Sequence, residues 1–172
     1  RGFVWNDGQR WRWREPERQV MPVTVEAIIE RVITEACTET STRMALNTRA
    51  YLESLEPNLK LERDIWAQVA GLEPATLERA ELSLRARGVL NESGFVHPLF
   101  REVPIHGLNA RERKVFAIRA LEVLPFEVAL VFITDAQLGP ERSLELLERA
   151  ALIANEAGSQ IQAARFQAQA VD

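Results

Sequence analysis

The sequence predicts a mainly α-helical protein with two short β-hairpins. Three observations carry that expectation. Apolar residues recur at helical spacing in one segment after another, with Gly or Pro between the segments. The opening residues, Gly2 to Arg14, instead alternate aromatic or β-branched side chains with polar ones around Asn6-Asp7-Gly8, a hairpin turn signal. Between Leu61 and Val103, two helical patterns lead into a short strand, a turn and a return strand.

In the first hairpin Trp11 and Trp13 alternate with Arg10, Arg12 and Arg14, so one face is apolar and the other basic. Packing of the Trp face on a neighbour explains this better than an Arg/Trp nucleic-acid surface, because a lone hairpin is barely stable. Glu15 to Pro22 is a linker. Thr24 then caps a helix to about Cys37, with Ile28, Ile29, Val32, Ile33 and Ala36 as its buried stripe. A second helix spans about Ser41 to Leu55, with Met44, Ala45, Ala50, Tyr51 and Leu52 on its inner side, and Pro57 stops it.

Arg63 or Asp64 opens the next helix, which runs through Ala70 and ends at Gly71. Pro74 suits the first turn of the following one, whose stripe is Leu77, Ala80 and Leu84 and whose stop is Gly88. Val89 and Leu90 begin a ribbon, Asn91 to Gly94 turn it, and Phe95-Val96-His97 return. Helix, turn, helix and ribbon in this order predict a winged helix. A DNA reader of this kind would insert Pro74 to Arg87 in the major groove. Arg79, Arg85 and Arg87 are the candidate DNA-binding residues, with Arg85 and Arg87 placed to touch backbone. Glu78 and Glu81 on the same polar face oppose phosphate, and no Asn or Gln is present to pair with adenine.

A short helix is expected from Pro98 to Val103, broken by Pro104. Asn109-Ala110-Arg111-Glu112 is a capping box opening a helix to about Leu124. Phe126 to Asp135 is strongly apolar and predicts a helix, with a strand over Ala129 to Ile133 as the alternative. Leu138-Gly139-Pro140 is a turn. Glu141 to Ala157 is a helix with Leu144, Leu147, Ala151 and Ala154 on one face, and Ser159 caps a last helix to about Ala170. Paired helices rich in Ala look like one repeat of a helical solenoid. Three parts result: 1–22, hairpin and linker; 23–103, helical segment and winged helix; 104–172, a helical-repeat-like segment.

The chain has 172 residues, 47% of them apolar, and a net charge of −4, which argues against a free-standing nucleic-acid module. Cys37 is the single cysteine, so no internal disulfide or cysteine-based metal site exists, and a cytoplasmic location fits best. No apolar run reaches the ~18 residues of a membrane span. The chain opens on Arg1 and runs at once into strand-like residues, which predicts a piece of a longer protein.

Pro22-Val-Thr-Val-Glu-Ala-Ile-Ile-Glu-Arg-Val32, Ala70 to Leu90, Phe95-Val-His-Pro-Leu-Phe-Arg-Glu-Val103 and Leu144 to Gly158 follow one another in a set order. Together they resemble the segment after the nucleotide-binding domain of STAND-type signal-transduction ATPases, which include the large LuxR-like bacterial transcriptional activators. The resemblance implies a winged helix docked on an ATPase core and leading into tetratricopeptide-like repeats. It also implies that His97 touches the β-phosphate of ADP held by that core; the alternative is that His97 simply caps or packs at the junction of ribbon and helix. Pro98 stands where the family often has a capping aspartate. No G-x-x-x-x-G-K-[ST] occurs, and the only lysines are Lys60 and Lys114, so any phosphate loop lies elsewhere. ADP or ATP would belong to the parent protein and no cofactor to this segment. The implied partner is the upstream nucleotide-binding domain.

Enzymatic roles rank last. The two histidines are His97 and His106, the latter expected in a solvated turn, and no nucleophile or zinc-helix motif is present. The carboxylate pairs Glu78/Glu81 and Glu145/Glu148 are expected to be solvated, salt-bridged helix faces. A non-catalytic regulatory module is thus the first expectation. A DNA-binding transcription regulator is the second, and a scaffold holding a protein partner on its C-terminal helices is the third.

Overall fold

The computed structural model describes residues 24–156, together with the backbone of Val4–Asn6 (β1) and Trp11–Trp13 (β2). The two strands pair antiparallel, Val4 opposite Trp13 and Asn6 opposite Trp11, as the alternation predicts. The turn residues Asp7 and Gly8, the linker and the expected helix from Ser159 lie outside the described residues.

Mainly helical architecture follows. Thr24 accepts a hydrogen bond from Ala27 N–H at 3.2 Å and opens α1, Val25–Ala36. Next come α2, Thr40–Leu55; α3, Arg63–Ala70; and α4, Pro74–Ala86. The short strands β3, Leu90–Asn91, and β4, Gly94–Phe95, pair antiparallel. Asn91 Oδ1 accepts from Ser93 N–H and Oγ–H and closes their two-residue turn. The return strand is shorter than expected: only Val96 N–H continues the ladder, to the Val89 carbonyl at 3.1 Å, and His97 lies beyond it. Then follow α5, Leu99–Gly107, and α6, Ala110–Val123. Asn109 and Glu112 form the reciprocal capping box at the start of α6.

The apolar run after Pro125 is helical throughout, which removes the strand alternative. It comprises α7, Phe126–Ala129, a 3-10 turn, Leu130–Phe132, and α8, Ile133–Ala136. The last described element is α9, Pro140–Glu156.

Two cores form, and they share α2 and α3. The first gathers Ile29, Ile33, Leu46, Trp66, Leu77, Leu84, Val89 and Phe100 from α1 to α5 and the ribbon. Trp66 Nε1–H donates to the Ala45 carbonyl at 2.9 Å, joining α3 to α2 within it. The second gathers Leu52, Val69, Phe116, Leu124 and Phe132 around Tyr51. The Tyr51 ring lies 5.7 Å from those of both Phe116 and Phe132, in tilted contacts. Its hydroxyl donates to Asp135 Oδ2 at 2.9 Å. Burial, then that hydrogen bond and the carboxylate charge, push the phenol far above its ordinary pKa, so it stays the donor.

Several expectations need correction. Ile28 is 48% exposed, because the buried stripe of α1 is only Ile29, Ile33 and Ala36. Leu144 is 40% exposed; the inner face of α9 turns through Leu147, Ala150, Ala151 and Ala154 instead. Pro104 does not break its helix. It is buried inside α5, which packs on both α1 and α2 and so tolerates one missing backbone donor. His106 consequently sits in the last turn of that helix rather than in a loop, though it is exposed.

Gly71 and Gly88 end α3 and α4, each at φ +68°. They differ in surroundings. A Cβ at Gly71 would meet the Arg119 guanidinium at 2.5 Å, where that group donates to the Val69 carbonyl, whereas Gly88 faces open space. Gly88→Ala is expected to cost about 1 kcal/mol and Gly71→Ala about 2–3 kcal/mol, the difference being the displaced arginine. Urea unfolding of the two variants checks this, and equal losses would contradict the Arg119 contact.

Candidate functional site around His97

His97 stands exposed between the ribbon and α5. Its Nδ1 accepts a hydrogen bond from Leu99 N–H at 3.2 Å. Phe100 N–H donates to the His97 carbonyl, and the amides of Arg101 and Glu102 donate to the Pro98 carbonyl. The first turn of α5 is therefore closed within the chain, and its amides are not an open anion site. The histidine ring thus accepts from the first amide of α5. With Nδ1 acting as acceptor, the neutral ring carries its proton on Nε2. That N–H is left as a hydrogen-bond donor on an exposed ring, beside the 52%-exposed Val96.

The ribbon that presents His97 is anchored from beneath. The Arg49 guanidinium lies 5.1 Å from the Trp66 ring centroid and 6.0 Å from that of Phe95, and it pairs with Glu53 at 2.7 Å. Arg101 Nη1 reaches the Glu53 carbonyl at 3.5 Å. These contacts tie β4 and α5 to α2.

The arginines of α4 are not gathered into a basic face. Arg85 Nη2 donates to Glu81 Oε1 at 2.6 Å, and Arg63 Nε donates to the other carboxylate oxygen at 2.8 Å. Arg87 pairs with Glu35 of α1 at 3.8 Å. Arg79 is exposed and reaches only Thr76, at 3.3 Å. What α4 turns outward is Ala75, Glu78, Arg79, Leu82 and Ala86, a face of mixed charge with a 60%-exposed leucine.

No protein-family model, curated protein or solved structure matches the chain.

The structure thus separates the predicted site residues. His97 is alone at the ribbon end, while Arg85 is held by Glu81 within α4 and Arg87 lies 3.8 Å from Glu35 of α1. Glu81 was expected on a solvated face and is instead 4% exposed. The signal for this was present: Leu77, Ala80, Glu81 and Leu84 are spaced i, i+3, i+4, i+7, which puts position 81 on the inner stripe. Glu145 and Glu148 of α9 are exposed, as expected, but neither is in a salt bridge among the described residues. Cys37 lies half-buried against the first core. Burial raises its thiol pKa while Arg43 pulls the other way, so the group stays protonated at neutral pH. Among the described residues, no cluster of three His, Cys, Asp or Glu side chains could hold a metal ion. No described helix is long and apolar enough to cross a membrane.

Removing Glu81 would leave Arg85 in place, with its Nε already buried and without a partner. Glu81→Ala is expected to destabilise the chain by about 2–3 kcal/mol, and Arg63→Ala by under about 1 kcal/mol because Arg63 is mostly exposed. A two-variant denaturation series distinguishes the two, and a small loss at Glu81 would refute the buried-anchor role.

Proposed function

We propose that this chain is a non-catalytic regulatory module that docks on a nucleotide-binding domain. It carries the nucleotide state into the helices that follow, as the winged-helix segment of a STAND-type regulator would. One observation supports this above the rest. The exposed His97 ring has its Nδ1 occupied by Leu99 N–H, so its Nε2–H is oriented away from the cap and free for a phosphate oxygen. The helix–turn–helix–ribbon order of α3, α4, β3 and β4 is consistent with a winged helix. In the coupled state, ADP bridged by His97 favours docking, and its exchange for ATP favours release, a population shift by differential contact. Onward transmission would run through α6 to α9 as a tetratricopeptide-like array.

His97→Asp tests the contact. An aspartate keeps an acceptor for Leu99 N–H but has no donor for phosphate. In the longer chain carrying the nucleotide-binding domain, ADP dissociation is expected to accelerate by about tenfold, the worth of one charge-assisted hydrogen bond, with the melting temperature unchanged. Dissociation that stays at the parental rate would sink the proposal.

DNA reading by α4 is the second proposal, and the pairing of Arg85 with the buried Glu81 weighs against it. Duplex DNA titrated into this chain at low salt is expected to give a flat isotherm. Salt-dependent binding that weakens in Arg85→Ala and Arg87→Ala would reverse the ranking.

A further inference from the structure

We infer that the cleft between α1, α2 and α5 is a binding site for a small α-amino acid with an apolar side chain. The cleft has a volume of about 340 Å³, the low end of ligand pockets and a size for one small metabolite rather than a nucleotide. Its polar lining carries both signs of charge. Arg43 and Asn47 stand four residues apart on α2 and so share a face, and Glu30 comes from α1.

None of these three side chains has a hydrogen-bond or ion-pair partner among the described residues, and Glu30 and Arg43 do not approach each other within 4 Å. Ile33, Val103 and Pro104 supply the apolar lining. The complement is a zwitterion: a carboxylate for Arg43 and Asn47, an ammonium for Glu30, and a hydrocarbon side chain for Val103 and Pro104. Thr34 does not compete as a donor, since its hydroxyl already donates to the Glu30 carbonyl at 2.8 Å.

Gly107, the last residue of α5, also lines the cleft, and a Cβ there would meet nothing within 4 Å. A side chain at 107 would therefore meet no clash at its Cβ.

Calorimetric titration of the chain with leucine tests the inference. Saturable one-to-one binding is expected. N-acetyl-leucine and leucinamide, each lacking one charge, are expected to bind at least about tenfold more weakly. Glycine, lacking the hydrocarbon, is also expected to bind more weakly. Gly107→Phe and Arg43→Met should abolish the signal, with helix content unchanged by circular dichroism. Three results overturn the assignment: no heat from leucine up to about 10 mM with folded protein, unaltered binding in both variants, or N-acetyl-leucine binding as tightly as leucine. The last would reassign the cleft to simple carboxylates.

Discussion

Helix α2 is the constraint on which the rest of the molecule depends. Most globular helices bury one stripe and leave the other side to water. This one buries Thr42, Ala45, Leu46, Thr48, Ala50, Tyr51 and Leu52, which spread around most of its circumference. One side meets α3, α4 and α5; the other carries Tyr51 into the second core. Its residues therefore answer to two sets of neighbours at once, and a change on either side is felt by both. The Tyr51 hydroxyl bound to Asp135 ties residues 84 apart and fixes α8 against α2.

Among the described residues, charge braces single helices at three ion pairs and joins different helices at two. Glu81 links α3 to α4 through Arg63 and Arg85, Arg87 joins α4 to α1, and Arg49 joins α2 to the ribbon. A buried carboxylate between two arginines is poor evidence of net stabilisation, because desolvation offsets much of the attraction. Its clearer effect is to fix which way α4 is rotated, with Glu81 inward and Leu82 outward.

What could be read from the sequence was whatever is decided locally. The Thr24 cap, the Asn109–Glu112 box, Pro74 at a helix start and the two left-handed glycines each act within a few residues, and each lies where the pattern puts it. Features set by a distant partner were missed. Pro104 stays helical because α1 and α2 hold it, and the Arg63 that meets Glu81 comes from another helix, although the inward position of Glu81 itself was legible in the α4 stripe. Ile28 and Leu144 fit an apolar stripe, yet the stripe drifts and their neighbours do not follow it. The candidate site was half legible. His97 could be singled out from its position, but its hydrogen bond to Leu99 gives the ring a tautomer, and that needed coordinates. The α1–α2–α5 cleft left no trace in the sequence, since its residues come from three segments with no shared motif.

The stacking of Arg49 between Trp66 and Phe95 bears on how a contact at the ribbon could be felt elsewhere. A two-stranded ribbon on its own is marginally stable at best. Here its second strand rests on an arginine that is only 14% exposed and belongs to α2. The ribbon is thus closer to a rigid handle than to a tether. A push or pull on its tip is borne first by α2, one of the two helices common to both cores.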